Sequence, residues 1–191
     1  MYKHIFIYGV PGTGKTTIAK KLAERLNYTY IELDNVRKKA QFNVPKQEDP
    51  FLYEWTTEAW KQFGKLNENT AIEGFQAVRN SLNKYVLNEL SEQKGSYIAE
   101  AVFINPTLFS SKDSIGNLVI VPDEKQHYSQ FFVDRPRSVE EDKQFRAARY
   151  IQDYLIKESQ NEHISTTVNK SNINQAIKLL IKEIEQLYRR R

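Results

Sequence analysis

A chain of 191 residues is long enough to bury about 70% of its unfolded surface as one domain. With 40% hydrophobic and 27% charged residues and no cysteine, it is neither a disordered nor a membrane-spanning chain, and disulfides and thiolate metal sites are excluded. The formal net charge of +4 suits anionic ligands.

Near the start, Ile5-Phe6-Ile7-Tyr8 is an apolar run that reads as a buried strand. It is too short for a leader or a membrane span, so a cytoplasmic protein is expected. Directly after it comes Gly9-Val10-Pro11-Gly12-Thr13-Gly14-Lys15-Thr16, which fits the phosphate-loop pattern G-x-x-x-x-G-K-[ST]. Glycine is scarce elsewhere: only 7 occur in the chain, so the pattern is not a by-product of abundance. Residues 17–26 read as an amphipathic helix with Ile18, Leu22, Ala23 and Leu26 on one face. A loop between such a strand and helix can turn its N–H groups inward around a polyphosphate. Gly12, Thr13, Gly14, Lys15, Thr16 and Thr17 are therefore the expected nucleotide-binding residues. Lys15 would reach the β- and γ-phosphates and Thr16 would offer its hydroxyl to Mg²⁺. ATP and Mg²⁺ are the expected cofactors.

Residues 28–33 form a second predicted strand that ends at Asp34, followed by a short helix over 35–41. Residues 43–50 are polar, carry Pro45 and Pro50, and read as a loop. Helical patterns resume over 51–63 and 68–90. A third strand is expected over 96–104 and a fourth over 118–121. Helices over 124–133 and 140–158 flank a basic turn at 134–138. A fifth strand over 164–168 and a closing helix over 173–188 complete the chain. Alternating strands and helices imply an α/β fold: a five-stranded parallel sheet with helices on both faces, the three-layer P-loop NTPase architecture. Residues 1–191 are expected to form one domain, with an acceptor-binding helical region at about 35–92 and a helical lid at about 124–160. Arg189-Arg190-Arg191 reads as a solvated tail, and nucleic acid is an unlikely partner on so short a basic run.

Phosphoryl transfer is mostly positioning and charge neutralisation, so the remaining candidates are carboxylates and arginines. Asp34, at a strand exit beside the loop, is the expected base or hydroxyl orienter; its alternative role is to cap the following helix. Arg37 lies one turn further on and suits an anionic acceptor. Glu100 is an acid in an apolar strand, so it serves either a water on Mg²⁺ or a structural ion pair. Arg79 is a candidate for the acceptor pocket or an ordinary polar helix face. Arg135, Arg137, Arg146 and Arg149 have a lid-like arrangement, with Arg135 and Arg149 the expected catalytic pair. His4, His127 and His163 lack metal spacing and receive no chemistry. Trp55 and Trp60 read as packing residues, with a substrate wall as the alternative.

Several segments together resemble the archaeal 2-phosphoglycerate kinase family of P-loop kinases. They are the phosphate loop, Leu33-Asp34-Asn35-Val36-Arg37, Tyr97-Ile98-Ala99-Glu100-Ala101-Val102 with Pro106 behind it, and Phe145 with Arg149-Tyr150-Ile151-Gln152-Asp153-Tyr154-Leu155. The resemblance implies a nucleoside-monophosphate-kinase-like core, ATP and Mg²⁺, and a small phosphorylated carboxylate as acceptor. That acceptor would be 2-phosphoglycerate or, as in the mevalonate 3-phosphate 5-kinases of the archaeal isoprenoid pathway, mevalonate 3-phosphate. It also implies Asp34 and Arg37 at the acceptor, Glu100 near the metal and Arg149 near the phosphates. Phe103 stands where the family pattern has histidine, which suits a bulkier, more apolar acceptor. The alternatives are a nucleotide or polynucleotide 5′-hydroxyl kinase and a P-loop ATPase that is not a kinase.

Overall fold

The computed structural model describes residues 2–133, 135–170 and 172–189. Asp134 of the basic turn and Arg190 and Arg191 of the tail lie outside the described residues. Five strands, β1 (His4–Tyr8), β2 (Thr29–Glu32), β3 (Tyr97–Ala101), β4 (Ser114–Ile120) and β5 (Ser165–Val168), form a sheet in the order β2-β3-β1-β4-β5. Every neighbouring pair is parallel. β1 takes the middle because it is apolar on both sides: Ile5 and Ile7 join one core, Phe6 and Tyr8 the other.

Helices α1 (Lys15–Leu26) and α6 (Ile173–Arg189) cover the Ile5 and Ile7 face. Helices α2 (Asp34–Asn43), α3 (Glu68–Ser91), α4 (Glu124–Phe131) and α5 (Val139–Asn161) contribute to the core on the opposite face. Local chemistry sets several starts. Asn67 and Thr70 form a reciprocal capping box at α3. Ser138 caps α5, and Glu140, Glu141 and Asp142 in its first turn complement the helix dipole.

Three stretches differ from expectation. Residues 51–63 do not form one helix but two 3-10 turns, Pro50–Tyr53 and Ala59–Gln62. The carbonyls of Leu52 and Glu54, which a continuous helix would spend on its own amides, accept from the Arg37 guanidinium instead. The second turn also lies hard against α3, where a Cβ on Gly74 would stand 2.5 Å from the Trp60 nitrogen. β4 begins four residues earlier than its apolar run, because Ser114–Asn117 pair in register with His4–Ile7 whatever their polarity. Finally, α2 includes Asp34: Leu33 occupies the cap position and no side chain caps the helix. Because all strands are parallel, the exits of β1 to β5 share one rim, where ligands of such sheets bind.

Candidate active site

The loop between β1 and α1 is shaped by left-handed backbone at Gly12 (φ 83°) and Gly14 (φ 82°). Gly14 is also a close approach: a Cβ there would lie 2.8 Å from Asn169 Nδ2. Asn169, just beyond β5, donates from that nitrogen to the Thr13 carbonyl at 3.0 Å. Thr13 is itself buried, its hydroxyl bonded to the Val10 carbonyl at 2.9 Å. α1 starts with no side-chain cap and no acid in its first turn. Its leading N–H groups and the positive end of its dipole are thus left for an anion.

Two clefts meet at this loop. The first, of about 620 Å³, is walled by Gly14, Thr16 and Thr17 of the loop and α1, by Gln130, Phe131 and Val133, and by Asn169 and Ile173. The second, of about 430 Å³, is walled by Pro11, Asp34, Arg37, Trp55, Thr56, Thr57, Glu58, Val102, Phe103 and Gln144. Gly12, Lys15 and Arg135 line both. A groove of about 580 Å³ along β5 and α6 contains none of the loop residues.

Glu100 sits beneath Lys15 and Thr16, at 1% exposure. Its Oε1 accepts from Thr16 Oγ1 at 3.1 Å and Tyr30 OH at 3.0 Å. Its Oε2 lies 3.8 Å from Lys15 Nζ and has no hydrogen-bond donor. Burial raises the Glu100 pKa, an effect that Lys15 opposes and Asp34 reinforces. The structural ion pair weighed from sequence therefore exists, but with the loop lysine itself. Among the described residues no three His, Cys, Asp or Glu side chains gather as a metal cage. A hydroxyl at the cleft and a buried carboxylate with one oxygen that accepts no hydrogen bond fit a hydrated Mg²⁺, which prefers water and phosphate to an all-protein shell.

In the second cleft Asp34 is half-buried and free of capping duty. Arg37 is 4% exposed. Its Nη1 donates to the Leu52 carbonyl at 3.3 Å and to the Glu54 carbonyl. Trp55 and Phe103 flank the guanidinium, their ring centres 5.1 and 5.7 Å away. Nε is buried with no partner. Burial pushes the Arg37 pKa down while Asp34 and Glu54 push it up. Such a held, desolvated fork with an unspent edge is suited to a carboxylate or phosphate. Trp55, read from sequence as packing, is 58% exposed and forms a wall of this cleft.

Two expected site residues lie elsewhere. Arg79 lines neither cleft; its Nη1 and Nη2 pair with Glu158 Oε1 and Oε2 at 2.6 and 2.9 Å, joining α3 to α5. Arg149 is not over the phosphate loop. Its Nη1 donates to the Val121 carbonyl at 2.9 Å and its Nη2 to the Pro122 carbonyl at 3.3 Å. Both arginines sit on helices packed against their neighbours, where the nearest carboxylate or carbonyl claims them. Of the lid arginines, Arg135 alone lines the clefts. Sequence reading missed His127, whose Nε2 lies 2.9 Å from the Pro11 carbonyl, as well as Tyr30, Glu58, Gln144 and Asn169. No local pattern marks them, since each is defined by a partner distant in sequence.

A family model described as an AAA domain, AAA_33, matches residues 5–110. A probable gluconokinase of Schizosaccharomyces pombe is 42% identical over 50 residues, 26% of either chain. A shikimate kinase of Synechococcus elongatus is 53% identical over 32 residues, 17% of either chain. These matched stretches thus span about a quarter or less of the curated relatives. Among solved structures, shikimate kinase from Acinetobacter baumannii in complex with shikimate aligns with a TM-score of 0.59 at 19% identity, covering 97% of this chain and 95% of that one. That likeness supports the five-stranded P-loop kinase fold. No helix among the described residues is long and apolar enough to cross a membrane. With the family model matching more than half of its length, the chain belongs to the AAA domain family AAA_33.

Proposed function

We propose that the protein is an ATP-dependent kinase that transfers the γ-phosphate to a hydroxyl of a small anionic carboxylate. The observation that carries this reading is the meeting of two clefts at Lys15, Gly12 and Arg135. One cleft offers a phosphate loop and a helix N-terminus; the other offers a carboxylate and a held guanidinium. A kinase needs such a shared wall, because the γ-phosphate must pass in line from one ligand to the other. An ATPase that is not a kinase has no use for the second cleft.

In this reading the triphosphate lies on the amides of Gly12 to Thr17, with Lys15 and Arg135 facing the transferred group. Arg37 holds the acceptor's carboxylate through its Nε edge, and Trp55 and Phe103 pack on the carbon skeleton. Asp34 orients the acceptor hydroxyl and takes its proton as the new O–P bond forms and the bond to the β-phosphate oxygen breaks. Lys15 and Arg135 stabilise charge that grows on the departing ADP. Thr16, and Glu100 through a water, would hold Mg²⁺, which would supply charge neutralisation for the phosphates. The acceptor region at about 35–92, the lid at about 124–160 and a cytoplasmic location belong to the same proposal.

The finer reading is a phosphorylated carboxylate, 2-phosphoglycerate or mevalonate 3-phosphate. Its support is the resemblance of four segments to the 2-phosphoglycerate kinase family, with Phe103 and Trp55 favouring the more apolar of the two. The test is a coupled ADP-release screen of 2-phosphoglycerate, mevalonate 3-phosphate, mevalonate, shikimate and gluconate at fixed MgATP. Release with one of the phosphorylated acids, far above water-only hydrolysis, is the expected result. Release with an unphosphorylated acid alone keeps the kinase and overturns the finer reading. Release with none of them, by a protein that binds MgATP, overturns both.

A further inference from the structure

Arg135 reaches the seam between the clefts from an exposed turn, so its position depends on what that turn is fixed to. Its anchor is the last turn of α4. Nη1 donates to the Phe131 carbonyl at 2.8 Å, and the guanidinium lies 4.3 Å from the Phe131 ring centre. α4 is in turn seated on the phosphate loop. His127, fully buried, makes its Nε2 contact with the Pro11 carbonyl at 2.9 Å. Gly12 allows the close fit: a Cβ there would stand 2.9 Å from Phe131 Cα and 3.2 Å from His127 Cδ2.

The partners fix the state of the His127 ring. A carbonyl only accepts, so Nε2 carries the proton. Arg149 only donates, and its Nη1 lies 3.4 Å from Nδ1, so Nδ1 is bare. Burial, with Arg149 adding to it, lowers the imidazole pKa; the Pro11 bond and Glu124 oppose. The ring therefore stays neutral at neutral pH. Arg149, displaced from its expected catalytic role, is the strut behind it, itself fixed to the carbonyls after β4.

We propose that His127 is a positioning residue whose Nε2–H bond to Pro11 sets the seat of α4 on the phosphate loop, and thereby the place of Arg135 over the bound nucleotide. The proposal rests on the nucleotide-binding reading above. Arg135 is then preset by the first helix of the lid, already seated on the phosphate loop before nucleotide arrives.

The test is a double-mutant cycle on MgATP affinity by calorimetry with the full chain, which needs no acceptor. His127→Leu is expected to weaken binding about tenfold, the effect of one lost hydrogen bond at a charged site. Arg135→Ala is expected to weaken it at least as much. The double variant should bind within about twofold of Arg135→Ala alone, because His127 acts through Arg135. His127→Gln, which keeps an N–H at the same reach, should recover most of the loss. Losses that multiply in the double variant, undiminished affinity in His127→Leu, or a glutamine variant as weak as the leucine one would overturn the proposal. If His127→Leu does not fold by circular dichroism, His127→Asn, too short to reach Pro11, takes its place in the cycle. A wild-type protein that binds no MgATP is a different failure, which removes the nucleotide-binding reading itself and this inference with it.

Discussion

The phosphate cradle on the donor side is main chain drawn from one short stretch, whereas the acceptor side is side chains drawn from four. Gly12, Gly14 and the first turn of α1 present amides that no side chain caps. The acceptor cleft takes Asp34 and Arg37 from α2, Trp55 to Glu58 from between two 3-10 turns, Val102 and Phe103 from beyond β3, and Gln144 from α5. A main-chain site is tolerant of what surrounds it and recognises phosphate in general. A side-chain site is specific, because each wall is set by a different element and changes with it.

The comparison breaks first at the residues where the two sides touch. Lys15→Ala should cost about 3 kcal/mol or more of transition-state stabilisation, over a hundredfold in kcat/KM, in the ADP-release assay. Near-normal turnover would remove the donor side from the account. Arg79→Met should separate the acceptor cleft from the helices behind it. It leaves half-buried Glu158 bonded to the Tyr154 hydroxyl but without its guanidinium, so unfolding in urea should show a loss of about 2 kcal/mol, with the acceptor KM unchanged. A raised KM without lost stability would return Arg79 to the acceptor site.

Smaller effects sharpen the acceptor side. Arg37→Lys should raise the acceptor KM about tenfold while MgATP affinity by calorimetry holds, because an ammonium cannot reproduce the fork held by Leu52 and Glu54. Acid pH gives the smallest effect. Burial holds the folded-state pKa of His127 below its ordinary 6.5. The unfolded chain therefore takes up that proton first as pH falls. The stabilisation is complete above about 6.5 and is lost as pH drops through the folded-state value. Urea unfolding from pH 7.5 to 5 should show a steeper fall for the wild type than for His127→Gln.

The same difference in construction explains what could be read from sequence. β1, α1, α3 and α6 follow from periodicity, and the phosphate loop from spacing, because both signals are local. Asp34 was legible as a strand-exit carboxylate and Arg37 as its neighbour one turn on. The turns at Pro50–Tyr53 and Ala59–Gln62 were not, because their apolar residues suit a helix until Arg37 claims two of their carbonyls. Arg79 and Arg149 looked like free cations, since a helix face says which residues point outward together but not what meets them. Glu158 and the Val121 and Pro122 carbonyls meet them only after α3 and α5 pack. His127 was invisible for the same reason: its partner Pro11 lies more than a hundred residues away.

The central claim is that Asp34 serves the alcohol and not the nucleotide. Asp34→Asn tests it most directly, with kcat measured on the acceptor found by the ADP-release screen and MgATP affinity measured by calorimetry on the same preparation. The account predicts a fall in kcat of about a hundredfold or more beside a nucleotide affinity within about twofold of wild type. A parallel loss of both would make Asp34 part of the nucleotide site, and an unchanged kcat would leave the second cleft without its orienting carboxylate.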